Sequence, residues 1–124
     1  MYGNTAYGVY AENNVNVESP EKLIEMLYEG VLRFNAQAKK AIKDENIEKR
    51  VYWINRSIDI ISELRGMLDS EVEGTICEYL EGLYGYEIQL LVEASTHNDI
   101  DKLNECTNVF KGLLEAWRET THLV

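Results

Sequence analysis

The pattern of hydrophobic and polar positions along the chain predicts four helices of about equal length. Apolar residues recur every three or four positions from Pro20 onward, and short polar breaks interrupt this spacing. The predicted helices span residues 20–43, 47–68, 71–95 and 99–119. Long helices joined by short breaks favour antiparallel neighbours. The pattern therefore predicts an all-α fold, an antiparallel up-down-up-down four-helix bundle.

Capping residues indicate where these helices begin. Ser19-Pro20-Glu21 combines a capping serine, a proline suited to the first turn and a glutamate at the positive end of the helix dipole. Ser70–Glu73 has the spacing of a capping box and predicts the start of the third helix. Asn98 and Asp101 are the predicted caps of the fourth helix.

The segment before the first helix is small and polar, yet it holds two aromatic rings. Tyr7 and Tyr10 lie within residues 1–18, ahead of the bundle predicted for residues 19–119 and the tail at residues 120–124. We predict an extended or short-helical lid whose tyrosine rings cover apolar surface while their hydroxyl groups stay in contact with water. A static cap on the end of the bundle, or a disordered terminus, is the alternative interpretation.

The second and third helices have more apolar surface than one core-facing stripe requires. The first stripes consist of Ile47, Val51, Ile54, Ile58, Ile61 and Leu68 in helix two, and of Val72, Ile76, Tyr79, Leu83, Tyr86, Leu90 and Ala94 in helix three. The second stripes consist of Trp53, Ile60, Leu64 and Met67 in helix two, and of Leu80, Tyr84, Ile88 and Leu91 in helix three. Together they form arcs about 200° wide at about 100° per residue.

Two interpretations of the second stripes remain open. They pack on adjacent helices, or part of them forms an exposed groove that binds another amphipathic helix. On the second interpretation the partner-binding candidates are Tyr7, Tyr10, Trp53, Ile60, Leu64, Met67, Leu80, Tyr84, Ile88 and Leu91. Arg65 and Glu87 interrupt the arcs. Either their charged ends reach solvent on long stems, or Glu87 is a polar specificity contact in the groove.

Composition narrows the class of protein. A chain of 124 residues with 45% hydrophobic content suits one domain. Its net charge of −10 argues against a nucleic-acid or anionic-membrane binder. No apolar run is long enough to span a membrane, and the N-terminus lacks signal-peptide features, so we expect a cytoplasmic protein without membrane insertion. Cys77 and Cys106 are then expected to be reduced.

No catalytic constellation accompanies the predicted bundle. A di-iron bundle needs two Glu-x-x-His pairs and two further glutamates, whereas this chain matches the spacing once, from Glu119 to His122. Its other histidine, His97, lies in a predicted break. The sequence also lacks C-x-x-C, H-E-x-x-H, G-x-S-x-G and P-loop motifs. We therefore predict a protein that is not an enzyme and needs no metal or other cofactor.

Several stretches resemble the flagellin export chaperones of the FliS family over nearly the whole chain. The longest is SPEKLIEMLYEG, from Ser19 to Gly30. In the family's order there are also Asn4, Ala6, Tyr7 and Tyr10, then SIDIISEL (57–64), LYGY (83–86), Asn98-Asp99 and EAW (115–117). The sequence departs from the family at Glu73, often glycine there, and at Glu87, usually uncharged.

The resemblance implies a cytosolic chaperone that binds the disordered C-terminal segment of flagellin. Such a protein prevents premature polymerisation and delivers flagellin to the flagellar type III export gate. In the family, the segment that contains Tyr7 and Tyr10 can lie over part of the same apolar surface. The alternative function is a helical interaction module that self-associates as a homodimer, or binds a co-chaperone or regulator, through this surface.

Overall fold

Four helices pack as an antiparallel bundle, which confirms the predicted fold. The structure is a computed structural model that describes residues 19–68 and 75–121. The helices are α1 (Pro20–Lys43), α2 (Ile47–Gly66), α3 (Thr75–His97) and α4 (Ile100–Thr121). Helix α1 packs against α2 and α4, and α3 packs against the same two helices, so the bundle is square in section.

Some sequence predictions concern residues outside the described ranges. These are the lid with Tyr7 and Tyr10, the capping box at Ser70–Glu73, and His122 in the C-terminal tail. Compared with the predicted ranges, α2 ends two residues earlier, at Gly66, and α3 continues to His97.

Local capping explains where α1 begins and where α4 begins. The Ser19 hydroxyl accepts a hydrogen bond from the Lys22 amide at 3.1 Å, as the sequence predicts. At α4 the prediction is wrong, because the carboxylate of Asp99 accepts from the amides of Asp101 and Lys102. Asn98 does not cap α4, and its backbone lies in the left-handed region at φ 56°. Its side-chain oxygen accepts from Arg50 instead.

The two loops at this end of the bundle share one turn geometry. Glu45 and Asn98 follow the ends of α1 and α3 with φ of 57° and 56°. The next amide in each loop bonds to a helix carbonyl five residues earlier, Asn46 to Ala41 and Asp99 to Ala94, both at 2.9 Å. This is a Schellman ending, which normally places glycine in the left-handed position. The reversal of the chain thus holds Glu45 and Asn98 in a left-handed conformation, although glycine is the residue that this conformation favours.

The core contains satisfied polar groups as well as apolar side chains. The fully buried apolar residues include Leu27, Val31, Ile54, Ile61, Leu91, Leu103 and Phe110. The Ser57 hydroxyl donates to the Asn35 side chain at 2.6 Å, and Asn35 donates to Thr107 at 3.2 Å. Across the diagonal, the hydroxyl groups of Tyr28 and Tyr84 lie 2.6 Å apart. Because each group has a partner, these bonds fix the helix register at little net cost.

An ion cluster joins the start of α1 to the end of α4. Arg118 donates to Glu25 at 2.7 Å and also pairs with Glu29, and Lys22 lies 2.7 Å from Glu25. The hydrogen bonds from Arg118 and then Lys22 hold the pKa of the Glu25 carboxyl below its ordinary value. Nearby, the Trp117 indole donates to the carbonyl of Glu21 at 2.9 Å. The cluster therefore links the N-terminal part of α1 to the C-terminal part of α4.

Candidate partner-binding surface

A line of exposed apolar side chains runs along the first half of α3. We call Ile76, Tyr79, Leu83 and Tyr86 the outer stripe. Ile76, Tyr79 and Tyr86 are 67%, 62% and 54% exposed, and Leu83 is half-buried. Their spacing of three, four and three residues places them on one side of the helix. The Tyr86 hydroxyl lies 3.5 Å from a carboxylate oxygen of Glu105, so the stripe borders α4.

The structure corrects the sequence prediction for four candidate residues. Ile60, Leu64, Tyr84 and Leu91 are buried in the core, at 2% exposure or less. For them, the interpretation that the second stripe packs on adjacent helices holds, and the expectation of an exposed groove is wrong. That any of them contacts a partner stays a prediction, and such contact requires the bundle to open.

The other candidates are more accessible. Trp53, Leu80 and Ile88 are half-buried and pack against the core, and Met67 is exposed just beyond the end of α2. Their role in partner binding stays a prediction. Sequence reasoning missed Ile76, Tyr79 and Tyr86 as candidates, because it assigned the first stripe of α3 to the core.

The residues at the centre of each apolar arc are the sequence feature that separates buried positions from exposed ones. In α2 the buried positions Ile54, Ser57, Ile61 and Leu64 lie at the middle of the combined arc. In α3 the corresponding middle is occupied by Glu87. The residues at the margins of an arc are those that face partly outward. Because a polar residue marks each centre, each arc resembles two separate stripes when only the sequence is considered.

Glu87 is buried, which contradicts both interpretations of it from the sequence. It is 1% exposed, so its head neither reaches solvent nor lies open to a partner. The Cys106 thiol of α4 is its hydrogen-bonding neighbour, and among the described residues its Oε1 atom has no partner. Burial raises the pKa of the Glu87 carboxyl to about 7, with the nearby Glu105 adding to the shift. Burial likewise raises the pKa of the Cys106 thiol.

Arg65 lies at the surface, as its interpretation from the sequence requires. It is exposed, and its guanidinium crosses α3 at Gly85, where an added Cβ atom would lie 3.3 Å from Nη1. A side chain larger than glycine at position 85 would therefore have to displace this arginine. The charge remains at the surface, as the solvated interpretation requires.

Metal sites, membrane-spanning helices and disulfides were considered over the ranges that the structure describes. There, no group of three or more His, Cys, Asp or Glu residues is arranged to hold a metal ion. Within the same ranges, no helix is both long and apolar enough to cross a membrane. No disulfide joins Cys77 to Cys106 in the structure.

A small helical bundle with an exposed line of apolar and aromatic side chains is typical of proteins that bind another protein. The chain belongs to the FliS family, since the family model described as "Flagellar protein FliS" matches residues 3–123. This is a family of secretion chaperones and not of enzymes.

Similar proteins from other bacteria match this chain over nearly its full length. The chain is 56% identical to the flagellar secretion chaperone FliS of Campylobacter jejuni over 119 residues, covering 96% of this chain and 93% of the relative. It is 37% identical to the flagellar secretion chaperone FliSB of Pseudomonas aeruginosa, covering 98% and 100%. It is 31% identical to the flagellar secretion chaperone FliS of Salmonella typhimurium, covering 93% and 90%.

Proposed function

We propose that this protein is a cytosolic chaperone that binds the disordered C-terminal segment of flagellin. Binding would prevent premature polymerisation and keep flagellin in a form that the flagellar type III export gate accepts. Family membership is the observation that carries this proposal. The relatives named as flagellar secretion chaperones support it.

The outer stripe is the proposed docking surface for one helix of flagellin. An amphipathic helix binds through apolar residues on one face, and the side chains of Ile76, Tyr79 and Tyr86 offer a matching line of exposed apolar area. A tyrosine ring can bury its apolar area against a partner while its hydroxyl stays in contact with water. Because ordering a disordered segment costs about 2–5 kcal/mol or more, the half-buried Leu80 and Ile88 are proposed to contribute further contact area.

Titration with a flagellin C-terminal peptide tests the function. We expect saturable binding by calorimetry and a gain of helicity by circular dichroism. We expect the double variant Tyr79→Ser/Tyr86→Ser to bind at least about tenfold more weakly, since each buried aromatic contact contributes about 1 kcal/mol or more.

The matched control is Tyr52→Ser, which removes another exposed tyrosine from a different helix face. It should bind the peptide as the parent does. The absence of saturable binding would refute the function. Equal weakening in Tyr52→Ser would instead refute only the assignment of the outer stripe.

The lid prediction concerns Tyr7 and Tyr10 and is tested by deleting residues 1–15. A lid that competes with flagellin predicts tighter peptide binding after the deletion, because covered apolar surface becomes available. A segment that also contacts flagellin predicts weaker binding. Unchanged affinity in calorimetry would contradict both roles and favour a terminus without function in binding.

Further partners are also part of the proposal. The export gate, a co-chaperone and a second copy of the chain could each use exposed apolar surface that flagellin leaves uncovered. Sedimentation at increasing concentration separates self-association from the chaperone function. A mass that rises with concentration, together with no binding of the flagellin peptide, would favour the interaction module instead.

A further inference from the structure

A basic groove lies between α1 and α2, in a chain that is otherwise strongly acidic. Residues 33–56 hold seven of the twelve lysines and arginines but only three of the twenty-two aspartates and glutamates. The chain as a whole carries a net charge of −10. Positive charge is therefore concentrated in the second half of α1 and the first half of α2.

The groove contains a cavity of about 160 Å³ near the α1–α2 loop. We call its lining residues the basic groove: Gln37, Lys40, Ala41, Asp44, Asn46, Lys49 and Trp53. Two lysines flank the cavity, and the half-buried indole ring of Trp53 provides apolar surface. Asp44 also lines it, and its carboxylate lies 3.3 Å from the Lys40 ammonium in an exposed pair.

Aromatic rings and guanidinium groups extend this surface by another turn of each helix. Trp53 packs on Phe34 with 5.5 Å between ring centroids. The guanidinium carbons of Arg33 and Arg56 lie 5.7 and 4.8 Å from the centre of the Phe34 ring. Arg56 also donates to the Tyr52 hydroxyl. These contacts hold the guanidinium of Arg56 beside the groove, where its remaining donors can bind a carboxylate.

The charges of Lys40, Lys49 and Arg56 are incompletely neutralised by the residues that the structure describes. Among the described residues, no carboxylate oxygen lies within 4.0 Å of a nitrogen of Lys49 or Arg56. Exposed lysine pairs such as Lys40 with Asp44 contribute little and exchange readily. A carboxylate from another molecule would therefore gain charge-assisted hydrogen bonds here without displacing strong internal ones.

We propose that the basic groove binds an acidic segment of another protein, whose carboxylates pair with Lys40, Lys49 and Arg56 while an apolar side chain packs on Trp53. This site lies on a different pair of helices from the outer stripe and goes beyond the proposed flagellin-binding function. A short acidic segment suits the groove better than a long polyanion, because the remaining surface is acidic and would repel an extended negative chain.

Titration of the isotope-labelled full chain with a capped synthetic peptide of Glu-Glu-Leu repeats tests the proposal. We expect amide chemical-shift changes at Lys40, Lys49 and Trp53, and affinity that falls about tenfold or more between low and high salt. The double variant Lys40→Glu/Lys49→Glu should lose about tenfold or more in affinity. It alters only surface lysines, so it should fold and still bind the flagellin peptide.

A matched control makes the same change of charge on α4, whose residues do not line the basic groove. Lys102→Glu/Lys111→Glu should bind the acidic peptide within about twofold of the parent, apart from the small long-range effect of net charge. A peptide of Gln-Gln-Leu repeats should bind far more weakly. Equal binding of the Gln peptide, or shift changes confined to the outer stripe, would overturn the proposal.

Two further outcomes would reassign the occupant of the groove. An oligonucleotide that binds the groove as tightly as the acidic peptide would overturn the choice of a protein segment. A rise in mass at low salt that Lys40→Glu/Lys49→Glu abolishes would identify a second copy of this chain, through its own acidic helices, and would likewise overturn the proposed partner.

Discussion

Replacing Ile60 and Leu64 together by asparagine is expected to unfold the bundle rather than to block a binding surface. Both side chains are at most 2% exposed and belong to the core cluster. Truncating one buried aliphatic side chain costs about 2–5 kcal/mol, and burying an amide without partners adds to that cost. Two such changes approach the whole stability of a small domain, about 5–15 kcal/mol. Far-ultraviolet circular dichroism in a urea series measures the loss.

The outer stripe supplies the control for this experiment. Tyr79→Asn/Tyr86→Asn changes two exposed side chains and should unfold within about 1 kcal/mol of the parent. It should nevertheless lose affinity for the flagellin peptide. If Ile60→Asn/Leu64→Asn instead stayed folded and lost only peptide binding, the bundle would have to open for its partner, and the second stripes would be part of the binding surface.

Stability should decline as pH rises from 5 to 8, because the folded bundle holds a proton on Glu87. The pKa of this carboxyl is raised to about 7 in the folded chain, chiefly by burial, and returns to its ordinary value on unfolding. A raised folded pKa means that stability is greatest at low pH and is lost as pH passes through 7. At 1.36 kcal/mol per pKa unit, the loss approaches about 3 kcal/mol above pH 8.

Glu87→Gln removes this titration while it keeps the shape of the side chain. Urea unfolding of the variant should give nearly the same free energy at pH 5 and pH 8, and the variant should be the more stable protein at pH 8. Glu105→Gln is the matched control, since Glu105 is an exposed neighbour on α4 that contributes only a secondary part of the shift. A parent whose stability is flat across this range would contradict the buried, protonated state of Glu87.

Much of the fold could be predicted because its determinants are local. Ser19 and Pro20 act within one turn, so the start of α1 is encoded by adjacent residues. Helical periodicity and short breaks likewise define four antiparallel helices. The turns were harder, since neither Glu45 nor Asn98 is the glycine that a left-handed position normally takes. Their conformation follows from docked helices that force the chain to reverse there.

The position of the candidate surface could not be predicted from the periodicity of apolar residues. Periodicity reports that α2 and α3 each have a wide apolar arc, but not which part of the arc faces the bundle axis. The structure places Ser57 and Glu87 at the buried centres and exposes Tyr79 and Tyr86 at a margin. A polar residue is tolerated at a centre only when another helix supplies its partner, as Asn35 does for Ser57.

The sequence by itself determined the helical class, most helix starts and the family, because short-range periodicity, capping and residue order are properties of the linear chain. The tertiary structure alone decided which apolar side chains remain accessible, that Glu87 lies against Cys106, and that Lys40 of α1 and Lys49 of α2 line one groove. Each of these depends on the rotation of one helix against another. That rotation is set by the packing of all four helices together.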